Sequence, residues 1–258
     1  MVSFLKNKKT IYFSIIALLL LIFILISSFS SKKGTSVFSI SQIIAYSSAD
    51  IINQSNSDSL TNLGIDQFTD ISIKIDNNTD NSPLSEANTV KELSIDNIVI
   101  KSKSTVGTPL LNYKSPMNFA KYQNLSSAVD NKIDFTILTT NEQNRENNYT
   151  SPVFYTDCSN PITLGYINKN IVDKYSISNN KTTISYNAKV LKDANVQVQD
   201  ISNSISFDIH ITSNTNQKYL YTVDIDLGFN DDLITSGYSY IINNLPKEDF
   251  TFTREKSK

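Results

Sequence analysis

ISFDIHITSNTNQKYLYTVDIDL, residues 205–227, decides the fold. Ile205, Phe207, Ile209 and Ile211 alternate with Ser206, Asp208, His210 and Thr212, the period-2 pattern of a strand with one buried and one wet face. The turn formers Ser213–Gln217 follow, and the alternation resumes at Tyr219, Tyr221, Val223, Ile225 and Leu227. Two strands joined by so short a connection read as an antiparallel hairpin.

The same period recurs on both sides. Downstream, Tyr238–Ile242 reads as a last strand and Thr253–Lys258 as a frayed tail. Upstream, Tyr175 and Ile177 lead through Asn179-Asn180 into Ile184, Tyr186, Ala188 and Val190, a second hairpin. Val153–Thr156, Ile162–Ile167 and Ile133/Phe135/Ile137 are further strands. Leu93, Ile95, Ile98 and Ile100 change phase at Asp96-Asn97, so a bulge there is predicted to keep both halves' apolar residues inward. Ile71, Ile73 and Ile75 form the earliest strand, ended by Asp76-Asn77-Asn78-Thr79-Asp80-Asn81. Short strands joined by Asn, Ser and Asp turns predict an antiparallel β-sandwich over residues 57-252, a closed barrel being the alternative. A division into two lobes near 141-150 is compatible with the pattern.

The beginning of the chain reads differently. Residues 10-30 are almost wholly Ile, Leu, Phe and small residues, and Lys9 and Lys32 bracket an uncharged run long enough, at about 1.5 Å per residue, to cross a bilayer. The basic tail 1-9 favours a cytoplasmic N-terminus and an extracytoplasmic body, so a single-pass signal-anchor in a cell membrane is expected. The rival reading is a cleaved signal peptide, with Ser28-Phe29-Ser30 at the cleavage site. In the stretch 31-56, Ser39 and Gln42 match a capping box, and Ile40, Ile43, Ile44, Ala45, Ser47, Ile51 and Ile52 follow a helical stripe. An amphipathic helix is predicted there.

Composition narrows the function. Net charge is −2 and no basic block follows residue 33, so nucleic-acid binding lacks its electrostatic footprint. The Asn/Ile/Lys-rich usage is that of an A+T-rich bacterial genome. None of the glycines lies close enough to another to cradle phosphate. Cys158 is the only cysteine and reads as a buried small apolar residue. His210, the only histidine, would have to serve every Ser-His-Asp, Cys-His or histidine–metal arrangement. It sits beside Asp208, with Asp224 and Asp226 expected on the same face, and a solvated sheet face explains the pattern equally. Asp76, Asn78 and Asp80 have the spacing that opens a calcium loop. Asn81 stands where glycine is needed and Ala87 where a bidentate glutamate is needed, so an ordinary turn is expected. No catalytic, cofactor-binding or metal residue is therefore assigned.

Glu92–Ile100, ELSIDNIVI, resembles a late strand of bacterial carbohydrate-binding β-sandwich modules, which implies a sugar ligand. It lies early in the body here, and the chain has no Trp to stack on a sugar. The order of apolar helix, amphipathic continuation and β domain resembles type IV pilins. It departs from them in lacking a Gly before the apolar run and a Glu five residues into it, which puts assembly through the anchor in doubt. The function expected is binding or scaffolding, with an envelope protein or surface glycan as partner. The alternatives are a passive spacer or minor pilin-like subunit, and after those a hydrolase.

Overall fold

The computed structural model describes residues 36–53, 63–78, 84–102, 106–113, 123–124, 132–139, 151–175, 190–235, 238–244 and 250–255. These belong to one compact unit, Ser36–Lys258. The membrane anchor expected at 10-30, most of the hairpin expected after Tyr175, Asp80 and the lobe boundary at 141-150 lie outside the described residues. No described helix is long and apolar enough to cross a membrane.

The chain is mainly β, and its two larger sheets are antiparallel. The first has six strands, β1 (Ser39–Asn53), β2 (Leu63–Asp76), β4 (Thr108–Tyr113), β5 (Gln123–Asn124), β9 (Ile162–Tyr175) and β12 (Tyr238–Asn244). Their order is β12-β1-β2-β9-β4-β5. The second holds β3 (Val90–Ser102), β6 (Ile133–Asp134), β10 (Asn203–Ser213), β11 (Lys218–Leu227) and β13 (Thr253–Arg254), in the order β13-β11-β10-β3-β6. A third, two-stranded sheet pairs β7 (Thr136–Leu138) with β8 (Val153–Tyr155) in parallel. Two single-turn helices, α1 (Val190–Asp193) and α2 (Asp232–Thr235), bury Leu191 and Leu233.

The opening hairpin folds as its alternation requires. Every second residue of β10 from Asn203 to Ser213 is buried, and β11 pairs with it from Asn203↔Leu227 to Thr212↔Lys218. One buried apolar cluster takes residues from both large sheets, among them Ile73 and Leu164 of the first and Ile95 and Ile209 of the second. Fully burying such a side chain contributes roughly 1.5–3 kcal/mol.

Residues 250–254 connect the two sheets. Phe252 N donates to Phe38 O (3.0 Å), Ile40 N donates to Phe250 O (2.9 Å), and Ser39 bridges Thr251. Two residues later the same segment pairs with β11, Tyr219 against Arg254. The rings of Phe38, Tyr219 and Phe252 fill the corner this makes, Phe38 lying edge-on to both neighbours. Thr253 and Arg254, expected to fray, are thus held by strand pairing.

The predicted bulge in β3 is present. Ser206 faces Val99 and Asp208 faces Asp96, so Phe207 alone opposes Asn97 and Ile98. Asn97 takes φ +51°, and burial passes from Leu93 and Ile95 to Ile98 across it. Of the non-glycine residues with positive φ among those described, all but Cys158 are asparagines: Asn78, Asn97, Asn170, Asn195 and Asn216. A chain with six glycines makes its left-handed turns with the side chain that tolerates them best.

Two expectations are corrected. Ser39–Asn53 is a strand, not an amphipathic helix. Its register against β2 slips between Ile40 and Gln42. The buried set therefore runs Phe38, Ile40 and then Ile43, Ala45, Ser47. A phase change in a period-2 pattern leaves the i, i+3 gap from Ile40 to Ile43 that imitates a helix. The run of β-branched isoleucines favours the strand that forms. The single strand expected at Ile133–Ile137 is two. Phe135 N turns to Leu93 O (3.0 Å), and the chain leaves β3 to pair with β8.

Candidate functional site

The outward face of the six-stranded sheet carries an aromatic and aliphatic patch at its β12 edge. Along β1 the even-numbered residues from Gln42 point outward, opposite Asn244, Ile242, Tyr240 and Tyr238 of β12. Tyr46 (40% exposed), Tyr238 (49%) and Ile242 (50%) are three of the large hydrophobic residues left most open. Tyr46 and Tyr238 sit diagonally across the pair and stack, ring centroids 6.3 Å apart with 27° between planes. Ile44 lies directly opposite Ile242. Across β1 the same rows continue into β2 as Lys74, Ser72, Asp70 and Phe68.

Acidic groups border these rings. Burial pushes the Tyr46 phenol up, partly offset by a hydrogen bond from Ser48. The negative charges of Asp50 and Asp70 and the neighbouring Tyr238 phenol also raise it. Burial also raises the Asp50 carboxyl above the ordinary carboxylate range. The result is an apolar strip with carboxylates beside its rings and Lys74 at one end. The helical reading of β1 concealed it, although the adjacent pair Ile43-Ile44 was the signal: in a strand, one of two neighbouring isoleucines must face outward.

His210 occupies the outward face of the other large sheet. Its Nε2 lies 2.9 Å from Asp96 Oδ1, both side chains being about one-third exposed. Asp96 stands opposite Asp208 across the β3–β10 pair. Asp208 accepts hydrogen bonds from Thr222 Oγ1 (2.5 Å) and Asn97 Nδ2 (2.8 Å). The Thr222 hydrogen bond holds the Asp208 carboxyl below its usual range. Burial opposes that, while Asn97 and His210 assist. Asp96, Asp208 and His210 offer donor atoms all within 4.8 Å of one another. Asp224 and Asp226 share this outward face as expected, but they do not join His210 in a cluster. They face Ser206 and Ser204, whereas His210 faces Leu220, which puts Asp224 two rows away, roughly 13 Å. Asp96 was missed because its place beside His210 depends on β3 lying next to β10, a matter of strand order.

Of the Asp76–Asp80 stretch the described part is residues 76–78, where Asp76 ends β2. Asn78, at φ +46°, donates from Nδ2 to Ser36 O (3.2 Å) and accepts from Ser39 Oγ (3.3 Å), tying the end of β2 to the start of β1.

Cys158 is buried, at φ +61°, in a turn closed by its own N–H to Tyr155 O (3.0 Å). Burial pushes its thiol up to about 12, with Asp157 and Asp76 adding to the effect. The native protein is expected to react with a disulfide reagent at pH 8 at least 100-fold more slowly than the urea-unfolded chain, because the thiolate is the nucleophile. The folded state retains this proton where the unfolded chain loses it. Its contribution to stability is therefore complete below about pH 9 and is lost as pH rises towards 12. Cys158→Ala should flatten that part of a pH–stability curve.

Polar side chains also run through the interior of the six-stranded sheet. Gln67 Nε2 donates to Ser47 Oγ (3.0 Å), Ser47 and Thr69 share a hydrogen bond (3.1 Å), and Asn168 Nδ2 donates to Gln67 Oε1 (3.3 Å). Nearby, Asn203 Nδ2 donates to Tyr166 OH (3.2 Å). A one-residue slip of any of these strands would break several bonds at once, so the chain of bonds fixes register. Compared with known proteins, the chain matches no protein-family model, no curated protein and no solved structure.

Proposed function

We propose that the chain is a membrane-anchored binding protein. Residues 10-30 cross the bilayer, and the two large sheets close as an extracytoplasmic β-sandwich that recognises another envelope protein through the Tyr46–Tyr238 strip. The observation that carries the reading is the stacked, half-exposed Tyr46–Tyr238 pair in line with Ile44 and Ile242. Exposed contiguous apolar surface rimmed by polar groups is the mark of an interaction site, and tyrosine is prominent among residues that dominate binding energy. The strip lies at the β12 edge, where among the described strands β12 pairs only with β1. A surface glycan is the second reading, favoured by aromatic rings standing beside the Asp50 and Asp70 carboxylates.

A membrane-impermeant crosslinker applied to intact cells tests this on the full-length protein. Discrete adducts are expected with the wild type, reduced at least tenfold by Tyr46→Ser/Tyr238→Ser. Adducts unaffected by that double substitution would remove the strip as the binding surface. A chain untouched by the reagent would refute the outward topology. A glycan partner would show instead as retention on isolated cell-surface polysaccharide, lost with the same substitutions.

A further inference from the structure

We infer that Asp96, Asp208 and His210 form a binding site for a divalent transition-metal ion of the zinc type, on the outward face of the five-stranded sheet and separate from the tyrosine strip. Among the described residues they are the one group of three metal-ligating side chains with donor atoms so close together. One imidazole nitrogen and two carboxylate oxygens are a donor set suited to zinc and its neighbours. Calcium and magnesium demand six or more oxygens.

The geometry requires little adjustment. Tetrahedral ligands about 2.0–2.1 Å from zinc lie roughly 3.3 Å from one another, while here the three atoms fall within 4.8 Å. Side-chain rotations of less than roughly an ångström close that gap. The three residues stand on two adjacent strands, β3 and β10; Asp208 and His210 are paired on both sides, and Asp96 is paired with Asp208. Asp208 is already oriented by Thr222 and Asn97, partners of the kind that aim a metal's ligands from behind. The bulge supplies one of them, since Asn97 is its extra residue.

The charge pattern points the same way. Asp96 and Asp208 are direct cross-strand partners, and like charges in that position cost stability unless a cation lies between them. Lys132, the nearby ammonium, forms its short contact with Asp134 (2.7 Å). A bound ion would take His210 through Nε2, with the imidazole carrying its hydrogen on Nδ1, and Asp96 would pass from holding that nitrogen to sharing the metal with it. The remaining coordination position faces solvent, open to water or to a partner's side chain.

The test is zinc titration of the metal-stripped full-length chain in detergent micelles by calorimetry. One zinc per chain is expected, bound at least 100-fold more weakly by His210→Ala and by Asp208→Asn, about 10–100-fold more weakly by Asn97→Ala, and normally by Asp224→Asn. Zinc should raise the melting midpoint of the wild type and leave that of His210→Ala unmoved. An absence of zinc binding, or binding unaffected by His210→Ala, overturns the assignment. Should His210→Ala fold poorly, X-ray absorption of the zinc-loaded wild type decides: the scattering pattern of one imidazole supports the site, and an all-oxygen shell refutes it.

Discussion

Replacing Phe38 with alanine is expected to lower the free energy of unfolding by about 3–5 kcal/mol. Its ring is fully buried, edge-on to Tyr219 at 5.2 Å and to Phe252 at 6.4 Å, so the substitution removes aromatic contacts and leaves a cavity. The corner cannot collapse easily, because Phe38 O and Ile40 N are both bonded to the 250–252 segment. A domain is commonly stable by only about 5–15 kcal/mol, so the loss is a large share of the whole. Urea denaturation should show a lower midpoint with an unchanged slope. A change below about 1 kcal/mol would mean that the corner repacks freely.

Gly165→Ala is the second large effect. Gly165 lies in β9, opposite Asp70 of β2 and Asn112 of β4. A Cβ there would stand 2.6 Å from the Thr69 carbonyl oxygen and 3.1 Å from Asp70 Oδ1. The nearer obstacle is backbone of the adjacent strand, which cannot swing aside as a side chain can. Relief requires β2 and β9 to part, at a cost of about 3 kcal/mol, the upper part of the range for overpacking. In a body of this size that is roughly 6–12 °C in melting midpoint. Gly228→Ala is the control: nothing lies within 4 Å of its Cβ, and the midpoint should stay in place.

What could be read from the residues follows from where the information lies. The alternation in 205–227 is local, and it yielded β10, β11 and their inward faces. The bulge in β3 was legible for the same reason, since the phase change from Ile95 to Ile98 is written in neighbouring residues. β1 shows the same device misread: its slip near Ser41 left apolar residues three apart, and nothing local separates that from a helical turn except the density of isoleucine. The tyrosine strip and the Asp96–Asp208–His210 group both depend on strand order. Tyr46 meets Tyr238 because β12 returns to the β1 edge, and Asp96 meets His210 because β3 and β10 are neighbours. Polar residues at core positions were equally hidden: Gln67 and Asn168 find partners only once β1, β2 and β9 are aligned, and Asn203 of β10 only once the other sheet brings it Tyr166.

The seam at residues 250–254 has a consequence for biogenesis. In a chain made from its N-terminus, Phe38 must wait for Tyr219 and then Phe252, both far along the sequence, before its corner can close. Joining partners so distant in sequence is entropically slow. Closure of the corner is accordingly expected late in folding, after each sheet has formed its own hairpins.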